Sequence, residues 1–393
     1  MIKNFNFAVP GLVSFGAGCI NSLGDRLKAK NMNRALLISD RGLEKAGVVQ
    51  TVEDILTKAG ITYEKFLDVE PNPSSETVLK AAEVFKANKL ETIICLGGGS
   101  PMDTGKAAAV MATNPGNPED YAGGIDLFKN PIPPIVAIPT TAGTGSENTI
   151  FAVITNRKTN FKYSIVSGKL TPSIILLDPE LITKLPPIVA ASTGMDALTH
   201  AVESYISRGA TPFSDAMGQK AMEYIGRYLR RFVADRSDIE AASGMMLGSN
   251  FAGIAFSWGY LGMAHAMAHP LGGYYNVPHG IANAILLPHA LKFNAIADKD
   301  NRYLTIYEYI RASDGDIGYF EPSMLVEEVV DLAKSIGIPE SLSKVGVDET
   351  HIPAMAIDAM KGSQVSSWRM NPRTSTAADI EQLYRDALKP IEL

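Results

Sequence analysis

The sequence predicts an α/β N-terminal domain built on a Rossmann-like parallel sheet, followed by an all-α C-terminal domain. Three observations predict it. Short apolar runs alternate with amphipathic stretches through the first half, as strand–helix–strand crossovers require. Near residues 185–187 the strand patterning stops and helical periodicity takes over. Residues 241–291 contain no Asp, Glu, Lys or Arg, although charged residues make up 20% of the chain. Such a run, interrupted by Gly, Pro, Ser, Asn and His, reads as helices buried on nearly all sides.

The elements follow in order. Residues 35–39 (ALLIS), 62–67 and 92–96 (TIICL) read as strands, with further strands at 135–138 and 174–177. Residues 48–58 and 76–87 read as helices, the second placing Val78, Ala81, Ala82 and Phe85 on one face. The domain boundary is expected near 185, giving domains 1–185 and 186–393. No internal repeat or low-complexity tract is present.

At 393 residues and 46% hydrophobic the chain can bury a sizeable core. A net charge of −6 leaves no broad basic surface, so nucleic acid is not an expected partner. Cys19 and Cys95 are the two cysteines, too few for a disulfide framework and in keeping with a reducing cytosol. The opening MIKNFNFAVPGLVSF has no continuous apolar segment and no small-residue cleavage site, so it does not read as a signal peptide. No stretch of 18 apolar residues occurs, so no membrane span is expected. A cytoplasmic location follows as the expectation.

Residues 95–112, CLGGGSPMDTGKAAAVMA, join a strand end, a glycine run and a helix start. Gly97, Gly98 and Gly99 let the backbone approach a ligand closely. Ser100 reads as the N-cap, Pro101 as the first helical residue and Asp103 as the closing member of a capping box. A tight turn before a capped helix needs only one glycine. Three in a row ahead of a helix N-terminus suit a pyrophosphate better. The spacing is neither G-x-G-x-x-G nor a Walker A loop. A second glycine loop, PTTAGTGSE at 139–147, offers hydroxyls and amides to phosphate or ribose oxygens, or is an ordinary loop. Asp40, at the tip of the ALLIS strand, is placed to accept from adenosine ribose hydroxyls and to repel a 2′-phosphate.

Asp196 and His200 are four apart in TGMDALTHAVESYIS, hence one turn apart on one helix face. An isolated Asp-x-x-x-His is more often a surface pair. The segment GMAHAMAHPLGGYYNVPHG changes that balance: His265 and His269 are four apart on a helix that Pro270 is expected to end, and His279 follows beside Gly280. Three histidines within fifteen residues of an uncharged stretch share a reason, and a metal is the usual one. A carboxylate among imidazoles suits a borderline divalent ion such as Fe²⁺ or Zn²⁺ and is poor for Mg²⁺ or Ca²⁺.

The motifs GGGSPMDTGK, PTTAGTGSE, LDPEL, GMDALTHAVESY, GMAHAMAHPLGGYYNVPHG and NPR at 371–373 together resemble the iron-containing alcohol dehydrogenase family over almost the whole chain. The resemblance implies hydride transfer between NAD and a small alcohol, diol or aldehyde whose oxygen binds the metal, Fe²⁺ in the family with Zn²⁺ as the alternative ion. It implies Asp196, His200, His265 and His279 as ligands, and His269 in the active site without being one. Gly97, Gly98, Gly99, Ser100 and Asp103 would serve the cofactor phosphates. Thr140, Thr141 and Thr149 would line the cofactor cleft, Asp40 would bind the adenosine ribose, and Lys162 the nicotinamide-side ribose. Phe151 and Phe256 are the substrate-pocket candidates, and a homodimer or higher homo-oligomer is implied. Asn148, Phe151 and the segment GSQVSSWRM at 362–370 depart from the family pattern, which bears on the substrate. The rival readings are a glycerol dehydrogenase-like or dehydroquinate synthase-like enzyme, and a non-catalytic module that only binds NAD or metal.

Overall fold

The computed structural model describes residues 5, 7–8, 11–158, 161–313, 315–361 and 368–392. Residues 362–367 of the GSQVSSWRM segment thus lie outside the described residues. The first half runs β1 (Leu12–Phe15), α1 (Leu23–Ala29), β2 (Arg34–Ile38), α2 (Arg41–Lys45), α3 (Val48–Lys58), β3 (Thr62–Phe66), α4 (Ser75–Ala87), β4 (Thr92–Gly97), α5 (Gly99–Thr113), β5 (Ile135–Pro139), β6 (Phe151–Asn156), β7 (Phe161–Val166) and β8 (Ile174–Leu177). Six strands form one parallel sheet in the order β1-β8-β5-β4-β2-β3. Every residue of β4, β5 and β8 is buried, which is why these strands are continuous apolar runs with no alternation. Leu23, Leu27, Val49, Val52 and Leu56 from α1 and α3 share one core cluster with Leu37, Ile94, Val136 and Ile174 of the sheet.

Five elements of this half were not foreseen: β1, α1, α2, β6 and β7. β1 is only four residues long. β6 and β7 form a separate antiparallel pair, Phe151 opposite Val166 and Thr155 opposite Lys162, a hairpin inserted into an otherwise parallel unit. The LDPEL motif proves to be a tie: Asp178 is fully buried, its Oδ1 accepting from the amides of Gly18 and Glu180 and its Oδ2 from Ile20.

The second half is helical: α6 (Pro187–Ile206), α7 (Pro212–Ala234), α8 (Ile239–Gly259), α9 (Met263–Tyr274), α10 (His279–Asn294), α11 (Arg302–Ile310), α12 (Pro322–Ser335), α13 (Ile352–Lys361) and α14 (Ala377–Ala387). α6, α7 and α8 pack on one another, and α10 packs on α6 and α9. The uncharged run supplies most of α8, all of α9 and most of α10, where buried residues predominate. Pro270 does not end its helix, contrary to expectation. It sits inside α9, which continues to Tyr274. A proline in a helix gives up one amide donor, and the packed surroundings of α9 tolerate that loss.

The chain forms two compact units, Val9–Thr141 with Ser146–Ile182, and Thr183–Leu393 with Met1–Ala8 and Ala142–Gly145. Among the described residues no helix is long and apolar enough to cross a membrane.

Candidate metal centre and cofactor loop

Helix α6 carries Asp196 and His200, α9 carries His265 and His269, and α10 opens on His279. The packing of these three helices brings Asp196 Oδ1 within 3.7 Å of both His265 Nε2 and His279 Nε2. Those three side chains form the one group among the described residues whose ligand atoms converge as a metal requires. Asp196 and His265 are buried, and His279 is partly open. His200 stands beside the group: its ring stacks on that of His265 at 4.6 Å and on Phe256 at 4.4 Å. His269 stacks on His279 at 5.4 Å, one turn along from His265. His289 is buried in α10 away from this cluster, and burial brings its pKa down to about 4.

The rings are held by the nitrogens that face away. His200 Nδ1 lies 3.3 Å from the carbonyl of Gly143. His265 Nδ1 lies 2.7 Å from Glu203 Oε2. An Nδ1–H committed to an acceptor leaves the Nε2 lone pair for a cation. Burial alone would raise the Asp196 carboxyl, but His200, His279 and His265 hold it well below the carboxylate range. Burial brings His200 down to about 4. Burial would lower His265 too, yet Asp196 and Glu203 outweigh it and push the imidazole up to about 9. These two carboxylates therefore draw positive charge to one place.

Asn283 shows that the donor set suits a cation. The residue is fully buried, and its amide nitrogen lies 2.8, 3.0 and 3.1 Å from Asp196 Oδ1, His265 Nε2 and His279 Nε2. Its own Oδ1 has no protein partner. Three acceptor atoms aimed at one point, with a buried amide oxygen beside them, are what a divalent ion would satisfy. The two carboxylates Asp196 and Glu203 match the charge of such an ion, where the sequence alone pointed to one.

In the α/β unit the strand-to-helix turn differs in detail from expectation. Ser100 is not the N-cap and Pro101 is not the first helical residue: α5 starts at Gly99 with Gly98 as its cap residue, and no side chain caps it. Gly97 takes φ +151°, a conformation open to glycine, and turns the chain without a side-chain cap. Asp103 is consequently free of a capping box, and its Oδ1 accepts from Ser146 Oγ at 3.2 Å. Burial pushes this carboxyl up to about 6, against the pull of Lys106. The amides of Gly99 and Ser100 remain open to an anion. Thr141, whose hydroxyl is buried without a protein partner, lies beside Gly98. These features fit a dinucleotide's pyrophosphate.

The other cofactor candidates are placed as follows. Thr140 is buried and its amide donates to the Gly97 carbonyl. Thr149 is buried, and its hydroxyl is taken by the ammonium of Lys106 at 2.8 Å. Lys106 was not foreseen. Fully buried, it also donates to the carbonyls of Ser146, Thr149 and Phe151, and burial brings it down to about 8. Lys162 Nζ donates to Asn72 Oδ1 at 2.8 Å, and burial lowers it to about 8. Asp40 caps α2, its Oδ1 accepting from the Leu43 amide at 3.0 Å, so one carboxylate oxygen is already committed. Phe151 and Phe256 are both buried.

The second glycine loop combines both readings: Thr141 keeps an unpartnered buried hydroxyl beside Gly98, and the glycines that follow are taken up by packing. Gly145 has φ +57°, and a Cβ there would stand 2.5 Å from Gly253 Cα of α8. Its glycines serve close packing on the helical unit, where the Gly143 carbonyl reaches His200. Glu203 and Asn283, like Lys106, are residues that sequence reasoning missed. Glu203 shares a face with Asp196 and His200 at spacings of seven and three, which was a readable signal.

Comparison with known proteins agrees with this arrangement. The family described as iron-containing alcohol dehydrogenase matches residues 10–179, and its C-terminal counterpart matches residues 190–388. The 1,3-propanediol dehydrogenase of Citrobacter freundii is 42% identical, covering 98% of this chain and 99% of that protein. The NAD-dependent methanol dehydrogenase of Bacillus methanolicus is 37% identical over 98% of this chain and 100% of its own. The crystal structure of a 1,3-propanediol oxidoreductase superposes with a TM-score of 0.93 at 40% identity, covering 98% of this chain and all of that one.

Proposed function

The chain belongs to the iron-containing alcohol dehydrogenase family, and from that premise we propose how this NAD-dependent alcohol dehydrogenase divides its work. Residues 1–185 bind NAD and residues 186–393 hold the metal. The observation that carries the reading is the convergence of Asp196 Oδ1, His265 Nε2 and His279 Nε2, with His200 as the fourth ligand.

A divalent cation held there supplies the Lewis acidity that makes an alcohol hydroxyl acidic near neutral pH. The chain's own residues do the rest. The Gly143 carbonyl and Glu203 keep the imidazoles turned. Phe256, against His200, keeps water from that side. His269, beside the partly open His279, accepts the alcohol proton and passes it outward. The amides of Gly99 and Ser100 and the Thr141 hydroxyl receive the pyrophosphate. The uncommitted oxygen of Asp40 takes the adenosine ribose hydroxyls, and Lys162 the nicotinamide-side ribose. NAD brings the hydride acceptor itself.

The metal is iron. The donor set alone does not choose, because Zn²⁺ outbinds Fe²⁺ at imidazole and carboxylate; membership in an iron-containing family is what supports Fe²⁺. The substrates are short alcohols and aldehydes of about two to four carbons, since a ring such as that of Phe151 near the reacting carbon would fill volume and offer no hydrogen bond to a second hydroxyl. The protein works as a homodimer in the cytoplasm, in keeping with its two free cysteines. One assay tests the reading: NADH absorbance with a panel of plain alcohols and diols, on protein stripped and reloaded anaerobically with Fe²⁺ or Zn²⁺. Turnover of plain short alcohols, faster with Fe²⁺, is expected. A clear preference for a diol would overturn the pocket assignment, and faster turnover with Zn²⁺ would overturn iron.

A further inference from the structure

Helix α9 begins without a side-chain cap of its own. Its cap residue is Gly262, which has no side chain to offer, so the first-turn amides need an acceptor from elsewhere. Glu203, seven residues beyond Asp196 on α6, supplies it. Its Oε1 accepts from the Ala264 amide at 2.6 Å, and its Oε2 lies 2.7 Å from Nδ1 of the next residue, His265. Both oxygens of one buried carboxylate thus hold two consecutive residues, one by its backbone and one by its ring. The arrangement fixes where α9 starts and how His265 is turned at once.

Resting on the metal reading above, we propose that Glu203 is the positioning residue of the metal centre: it holds the proton of His265 on Nδ1 and so presents Nε2 to the cation. The chemistry requires such a partner. An imidazole with its proton on Nε2 has no lone pair for a metal, and an imidazole free to turn loses its direction. An acceptor on Nδ1–H settles tautomer and orientation together and makes Nε2 a better donor. A carboxylate does this more strongly than the neutral Gly143 carbonyl that faces His200, because a charged acceptor strengthens the bond. His265 is accordingly the ligand most firmly set.

Gly262 belongs to the same device. A Cβ on it would stand 3.0 Å from Glu203 Oε1 and 3.2 Å from Asn371 Oδ1. Asn371, the first residue of the NPR motif, is itself locked in a reciprocal amide pair with Asn294, at 2.6 and 2.9 Å. The Asn371 side therefore cannot yield, and a side chain at 262 would displace the carboxylate. Asn371 of the NPR motif thus bounds the far side of Gly262 from Glu203.

A helix cap alone would affect stability and leave metal affinity untouched, so the test reads both. Glu203→Gln keeps the size of the side chain but sets an NH₂ group against either the Ala264 amide or the His265 ring. Chelator competition with Zn²⁺ should show metal held ten- to a hundredfold more weakly. NADH binding, measured by fluorescence on the same protein, should be unchanged. Nitrogen-15 NMR of the histidine rings should show the proton leaving Nδ1 of His265. Gly262→Ala, which retains the carboxylate and moves it, should weaken metal binding in the same direction and stands in if Glu203→Gln does not fold. A folded variant that holds Zn²⁺ as tightly as the wild type, with the Nδ1 proton in place, would reduce Glu203 to a cap. Asp196→Ala is run in parallel: if that protein also keeps its metal, the centre itself has been misplaced, a result separate from the role of Glu203.

Discussion

At the scale of single residues, the ligand set is tested at Asp196: Asp196→Ala should lose turnover and bound metal together while NADH binding persists, since Asp196 lies in the helical unit and the glycine turn in the other. Metal analysis beside NADH fluorescence checks this, and an active variant with unchanged metal would refute the ligand assignment. His265 and His279 stood out because histidines are scarce and these lie in an uncharged run, and Asp196 because it stands four residues before His200. The spacing of Glu203 put it on the face of Asp196 and His200 but could not name its partner on α9, and Asn283 carries no charge to notice. Sequence also could not tell which of several residues at helical spacing would turn their donor atoms to one point. Chemistry that depends on spacing was thus legible, and chemistry that depends on a partner from another helix was not. Asp40 has two duties, because one oxygen caps α2. Asp40→Asn keeps an acceptor for the Leu43 amide and removes the charge that would face a 2′-phosphate. NAD should be favoured by the wild type roughly tenfold or more in affinity, and Asp40→Asn should narrow the gap with little change in melting temperature. Equal kcat/KM for NAD and NADP in the wild type would take Asp40 out of this role.

At the scale of elements, β2, β3, β4, β5, β8, α3 and α4 were read nearly to the residue, because burial imposes a period on the sequence, whereas the helices of the second half were foreseen only as a class. The misreadings fell where local chemistry has two solutions. Ser100 had the composition of an N-cap, yet Gly97 and Gly98 made the turn by backbone conformation and the helix began one residue before the serine. The β6–β7 hairpin passed unseen because its strands sit between loops of similar composition, and a hairpin is not expected inside a parallel unit. α4 shows how the chain secures an element that does carry caps. Ser74 accepts from the Thr77 amide, and Glu70 in turn accepts from the Ser74 amide and the Thr77 hydroxyl. Burial alone would raise the Glu70 carboxyl, but the bonds from Thr77, Ser74 and Arg157 bring it down to about 2 from 4.5. A carboxyl depressed on folding stabilises above its unfolded pKa and loses that stabilisation as pH falls through the folded one. The contribution of Glu70 should therefore be complete above pH 4.5 and fade between 4.5 and 2. With the side chain 26% exposed, screening leaves it on the order of 1–2 kcal/mol. Urea unfolding of the wild type and Glu70→Gln should differ by that much at pH 6 and converge near pH 2; a gap that does not depend on pH would refute the assignment.

At the scale of the whole molecule, the sequence conveyed the succession of an α/β unit and a helical one, but not which sheet edges are left for another chain. The sheet ends in β1 on one side and β3 on the other, and among the described residues each edge strand pairs on one side only. Unpaired strand edges invite pairing with other chains, and natural proteins guard them with charge. β3, TYEKF, is guarded, with Glu64 and Lys65 exposed. β1, LVSF, has no charge at all, and it leaves Leu12 56% and Phe15 43% exposed. An unguarded apolar edge is a cost to a monomer and an asset to a dimer. Two copies related by a twofold axis place the same strand against itself, antiparallel, so one surface closes the assembly without growing into a fibre. The wild type should accordingly run as a dimer or a multiple of one in light scattering. Replacing both Leu12 and Phe15 by Lys should yield monomers that still bind NADH, because neither residue lies in the buried core and the glycine turn is on a different strand. A wild type that is monomeric at micromolar concentration, or a double variant that stays associated, would show that β1 is not the contact.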